Sequence, residues 1–265
     1  MPSNVVNANN VLLGRGECFF DRFNASGIKT GERFLGTCQT FEIGVEDEVR
    51  DKYSAAEASA PLIKSVNVRR TPNINIILDE FDEYNLALAF MGDREDYIVT
   101  GAVVANEVPP TTSVKKGHWL QVGGATPRRS ISAVAVTGPA GSPTYVNNTD
   151  YIIDATRGRI FIVTAGAIAD AAALEIDYTY ATFAAGALPT VQGGISNFIE
   201  GFVRFVGKPA TGPVWEIEVW KASLSPDGII PFIGDDYASF TIKGKVLADT
   251  IAHGANPFFR AYKLS

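Results

Sequence analysis

The chain has 265 residues, 46% hydrophobic and 20% charged, which excludes disorder throughout and allows one large or two modest domains. Its formal net charge of −6 excludes nucleic-acid binding by broad neutralisation of phosphates. No apolar run reaches the length of about eighteen residues that a membrane-crossing helix needs.

The charge is uneven. Residues 108–186 hold six basic and five acidic side chains, or +1, and the rest of the chain holds 17 and 24, or −7. Met1-Pro2-Ser3-Asn4 lacks a basic region followed by an apolar one, so no secretory signal is expected. Two cysteines, Cys18 and Cys38, are too few for a disulfide framework and read as free thiols.

Strand-like segments follow one another from the start. They are predicted over 17–23, 34–45, 62–67, 70–78, 98–104, 119–122, 131–136, 151–154, 159–163, 174–180, 198–206, 215–221 and 239–247. The clearest alternation sets Trp215, Ile217 and Val219 against Glu216, Glu218 and Trp220. One helix is predicted from Asp79 to Met91. Asp79 or Asp82 caps it, Phe81, Tyr84, Leu88 and Met91 share a face, and Gly92 ends it in a left-handed conformation. Linker-like stretches at 108–113 and 184–189 bound a middle segment of about five strands. This predicts three pieces: 1–107, an inserted β-sandwich at 108–186, and 187–265 returning to the first domain. The alternative is that the middle strands extend the host sheet. Within the insert, Asp150–Asp154 and Arg157–Ile160 read as a β-hairpin.

No pattern of catalytic residues stands out, and neither enzyme activity nor a cofactor or metal is expected. Gly14-Arg15-Gly16 lacks the Lys-Ser/Thr of a phosphate loop and precedes a strand. His118 and His253 stand far apart and out of zinc spacing with the cysteines. The acidic pairs, such as Asp235-Asp236, follow no calcium-loop spacing.

Glu46–Lys64 is the most useful functional clue. It carries five acidic and three basic residues, several alanines and one tyrosine between flanking strands. It is expected to project as a long loop or hairpin, an arrangement that is usually functional when it occurs inside a compact domain. A solvated loop, or a short helix through Ala55–Ala60, is the other reading. Mixed charge suits docking against another copy of the chain. The docking candidates are Glu46, Asp47, Glu48, Arg50, Asp51, Lys52, Tyr53, Glu57 and Lys64.

Leu13-Gly14-Arg15-Gly16, Arg33-Phe34-Leu35-Gly36, Lys52-Tyr53-Ser54 with Ala58-Ser59-Ala60-Pro61, and Asp79-Glu80-Phe81 leading to Met91-Gly92-Asp93 stand in an informative order. In that order the chain resembles the major tail tube proteins of long-tailed (siphophage-type) bacteriophages. The resemblance covers the first hundred or so residues best and the last part more loosely. It implies a mainly β fold: a β-sandwich or half-barrel with one flanking helix, carrying an inserted immunoglobulin-like β-sandwich. It implies a structural virion protein of the phage tail, assembled in the host cytoplasm, whose hexameric rings stack into a tube. The implied partners are other copies of the chain and further tail proteins (tape measure, tail terminator and distal tail protein). Genome DNA would pass through the lumen without specific binding, and no membrane anchor is implied. Many relatives carry the decorating domain at the C-terminus, whereas here it interrupts the chain.

Segments 198–206 and 215–221 are the candidates for a barrel hairpin, with Glu200, Arg204, Glu216 and Glu218 as lumen-facing candidates. Deletion of Glu46–Lys64 is expected to leave a folded monomer unable to polymerise. Two other readings carry their own expectations. A bacterial adhesion or carbohydrate-binding module would use exposed Trp119, Trp215 or Trp220, and a β-rich hydrolase would use the acidic turns.

Overall fold

The computed structural model describes residues 7–56, 58–196 and 199–264. Its elements in chain order begin with β1 (Gly16–Arg22), β2 (Arg33–Phe34), β3 (Cys38–Tyr53) and β4 (Leu62–Leu78). Helix α1 (Glu83–Ala89), β5 (Asp93–Asp96), β6 (Ala102–Glu107), β7 (Trp119–Gln121) and β8 (Ile131–Thr137) follow. Then come β9 (Tyr151–Asp154), β10 (Arg159–Ile162), β11 (Glu175–Tyr180) and β12 (Pro189–Gln192). The last are β13 (Ile199–Gly207), β14 (Trp215–Asp227), β15 (Phe240–Val246) and β16 (Phe259–Lys263). The protein is mainly β, as its alternating sequence requires.

The chain divides into two compact units, Met1–Glu95 with Val191–Ser265, and Asp96–Thr190. The borders expected at 107/108 and 186/187 therefore move outward. The reason is β6, which pairs with β11 (Tyr180↔Ala102, Tyr178↔Val104) and so belongs to the second unit despite preceding Pro109-Pro110. The strand expected at 98–104 accordingly lies at 102–107.

The first unit is built on an eight-stranded sheet in the order β2-β1-β13-β14-β15-β4-β3, with β16 also on β14. Strand β14 is thirteen residues long and serves two neighbours on one side. Trp215–Val219 pair with β16, and Ala222–Asp227 pair with β15. Cys18, Phe20, Ile74, Ile76, Leu78, Ile199, Val203, Val219, Leu224, Phe240 and Ile242 form one core. Burying each such aliphatic or aromatic side chain contributes roughly 1.5–3 kcal/mol.

Helix α1 is shorter than the sequence suggests. It begins after Asp82, whose Oδ1 accepts the Asn85 backbone N–H at 2.6 Å. Asn85 is fully buried. Its amide donates to the carbonyls of Leu35 (2.8 Å) and Glu80 (3.1 Å), and its oxygen accepts from Arg33 (2.6 Å). Asp82 is extended and the helix starts after it, so Phe81 packs against Phe240 from outside the helix (ring centroids 5.2 Å apart). The left-handed step after the helix falls on Met91 (φ 50°), where glycine was expected to take it. Gly92 is needed for closeness instead, since a Cβ there would lie 1.7 Å from the Gln192 carbonyl oxygen.

The second unit consists of two three-stranded antiparallel sheets, β7-β10-β9 and β6-β11-β8. They share a core of Leu120, Val122, Ile131, Val136, Tyr151, Ile160, Ile162, Ile176 and Tyr178. The β9–β10 hairpin forms where the sequence places it. Arg159 and Arg157 hold its Asp154 carboxyl down to about 2.

Candidate assembly interface

Strands β3 and β4 pair all the way from Cys38↔Leu78 to Tyr53↔Leu62. Of the long loop or hairpin expected over 46–64, the hairpin is what forms: the segment is a strand pair for most of its length, and only residues 54–61 connect the two strands. The expected break near 68–69 is also absent, because β4 runs from Leu62 to Leu78 with bulges opposite Glu48/Val49 and Lys52/Tyr53.

The two halves of this hairpin differ. In the inner half Ile74, Ile76 and Leu78 alternate into the core, and Asn73–Leu78 also pair with β15. That second pairing ends at Asn73↔Lys245. Pro72, which has no N–H to give a neighbour, sits where β4 leaves β15. Beyond it the ribbon runs alone for roughly 30 Å, counting residues 45–53.

The described residues of 45–53 and 61–70 are exposed on both faces. Val45, Val49, Tyr53, Leu62, Ile63, Val66 and Val68 are each 45–63% exposed. Neither outer edge of this part pairs with another strand among the described residues. A two-stranded ribbon without a packed face is marginal in water, and open edges invite pairing with a second chain.

The alternation of β3 places Glu46, Glu48, Arg50 and Lys52 on one face and Asp47, Asp51 and Tyr53 on the other, with Lys64 of β4 opposite Lys52. Glu57 lies outside the described residues. Arg70 makes a two-point contact with Asp47 (2.8 and 3.1 Å), and this with Asn67 holds the Asp47 carboxyl below its ordinary value. Glu48 reaches Arg50 (3.3 Å) and Arg69 (3.7 Å). Solvent screens exposed pairs of this kind, so they set register more than they stabilise. Lys52 and Lys64 face each other as like charges, and neither makes an ion pair with a described residue.

The second set of candidates gathers around one guanidinium. Arg204 contacts Glu32 (2.8 Å), Glu218 (2.7 Å) and Glu216. The Glu32 hydrogen bond foremost, and that of Glu216, outweigh burial and hold the Arg204 proton above the ordinary arginine range. Glu200 is joined instead to Lys221 (2.7 Å), across the bulge between Gly201 and Val203. The sequence foresaw the polar face but not Glu32, which arrives from the loop before β2.

Residues 11–260 match the family model for proteins of unknown function UCP028589. The chain belongs to that family. The match spans both compact units and the whole β3–β4 arm. No curated protein matches the chain.

Of the remaining candidates, Trp220 is occupied by packing. Trp220 is only 8% exposed: His253 stacks on its ring at 3.9 Å, and its indole N–H donates to the Asn256 carbonyl at 2.7 Å. Of the three tryptophans named for the adhesion reading, Trp220 is therefore not an exposed platform, whereas Trp119 is exposed and Trp215 half-buried. Cys18 and Cys38 are free thiols. The hydrogen bond to Cys38 and burial push the Cys18 thiol up, while the Cys38 thiol donates to the Thr40 carbonyl at 3.1 Å. Among the described residues no three His, Cys, Asp or Glu side chains converge to hold a metal.

Proposed function

We propose that this protein is the subunit of a phage tail tube: copies close into rings, the rings stack, and the product is a conduit for genome DNA. The observation that carries this reading is the β3–β4 arm, with apolar side chains exposed on both faces and two unpaired edges. A partner chain that covers the arm removes both the exposed surface and the open edges. Heterologous contacts between unlike surfaces close into rings or extend into filaments, as a tube requires.

In this reading the eight-stranded sheet of the first unit supplies the tube wall. The second unit, two small sheets over one core, is the decorating immunoglobulin-like domain. The face bearing Glu200, Arg204, Glu216 and Glu218 lines the lumen. Six copies at −6 give 6 × (−6) = −36 per ring. A wall of that sign repels DNA and lets it slide. Tape measure, terminator and distal tail proteins are the expected neighbours, and the protein performs no reaction.

Negative-stain microscopy of the concentrated protein tests the proposal. Rings or hollow tubes are expected, and a uniform field of monomers across all concentrations refutes it.

A further inference from the structure

We propose that the tip of the β3–β4 arm docks on the β14–β15 loop of a second copy. The tip carries Tyr53, Leu62 and Ile63, 52–63% exposed, beside the facing Lys52 and Lys64. Its apolar surface is therefore flanked by positive charge that makes no ion pair with any described residue of its own chain.

The loop between Asp227 and Phe240 has the opposite character. Ile229, Ile233 and Tyr237 are almost wholly exposed (94%, 97% and 101%). Beside them stand Asp235 and Asp236, adjacent, exposed and without an ion pair to any described residue. The loop does not hang free. Phe232 packs against both Phe81 and Phe90, each at 6.1 Å between ring centroids. Its residues 231–238 enclose a concavity of about 370 Å³, room for an apolar side chain from the tip.

Much of the remaining acidity of the first unit is already matched. Glu17 pairs with Lys208, Asp93 with Arg22, Glu200 with Lys221, Asp227 with Lys243, and Glu32, Glu216 and Glu218 surround Arg204. The 235–236 pair is unneutralised and lies beside large exposed apolar side chains. Two lysines with three apolar residues thus face two aspartates with three apolar residues. Tip and loop are different surfaces, so the contact is head-to-tail and propagates from copy to copy. The charges fix partner and register, and the apolar groups supply the buried area.

This contact rests on the self-assembly reading, and charge reversal separates the two. K52E/K64E alone and D235K/D236K alone are each expected to raise the concentration needed for assembly about tenfold or more. An equimolar mixture is expected to assemble again, because each reversed tip then meets a reversed loop. Sedimentation velocity reads the outcome, with circular dichroism checking that each variant is folded. K52Q/K64Q and D235N/D236N serve if a reversal unfolds the chain; each is expected to weaken assembly, and wild-type assembly by both overturns the contact. Either reversed variant assembling at the wild-type concentration, or a folded mixture that stays dispersed, also overturns it. A wild-type protein that never assembles instead removes the self-assembly reading itself.

Discussion

A chain in which Asp47–Arg70 is replaced by Asn-Gly is expected to fold and to remain monomeric where the intact protein assembles. Glu46 and Thr71 are directly paired in the β3–β4 register, and Asn-Gly is the turn that joins such a pair in two residues. No described residue of the excised stretch belongs to the hydrophobic core. The pairing of Asn73–Leu78 with both β15 and β3 is retained. Thermal stability should therefore stay close to that of the intact chain, while self-association is lost. The simpler deletion of Glu46–Lys64 would join Val45 to Ser65, which are not partners in the register. Sedimentation velocity beside a thermal melt checks the result. A shortened, folded chain that still forms long polymers would remove the arm from the assembly mechanism.

Arg204→Ala is expected to destabilise the first unit by about 2 kcal/mol at neutral pH. The figure is set below that for a fully buried pair because the four side chains keep 15–31% exposure. Without the guanidinium, three carboxylates from β14 and the loop before β2 repel one another. Repulsion favours proton uptake by the folded variant, so its deficit should shrink as pH falls through the ordinary glutamate value of about 4.3. Urea melts at neutral and acidic pH, with Arg204→Ala/Glu216→Gln/Glu218→Gln for comparison, read the effect. An undiminished deficit at acidic pH, or no recovery in the triple variant, contradicts the electrostatic account.

Sequence patterns located the strands whose two faces differ. Glu216 and Glu218 against Ile217 and Val219 gave an unambiguous period, and β14 forms there. The arm gave no such signal, because it is exposed on both faces: Lys52, Tyr53, Leu62, Ile63 and Lys64 follow no alternation that a core would impose. Strand β3 is legible only up to Val45, where burial ends, whereas most of β4 is legible as the two runs 62–67 and 70–78. Strand β16 is not legible for a related reason, since Arg260, Ala261, Tyr262 and Lys263 are all exposed and show no alternation of burial.

The helix was overextended because Phe81, Leu88 and Met91 fit helical spacing. The side-chain bonds of Asn85, invisible to periodicity, decide where it starts. The second unit was placed twelve residues late at its leading border, 108 against 96, because Pro109-Pro110 reads as a boundary. Local composition marks a turn, whereas only the pairing of β6 with β11 reveals which side of it belongs to which core. Candidate charges were legible as residues and not as partners. Nothing in the neighbourhood of Glu32 signals that it meets Arg204.

The central claim is that a second copy covers the arm. Amide hydrogen exchange over residues 45–70, compared between dilute and concentrated protein, tests it most directly. Rapid exchange at the open edges in dilute solution and marked protection on assembly are expected. Assembled material whose arm amides exchange as fast as those of the dispersed protein would contradict it.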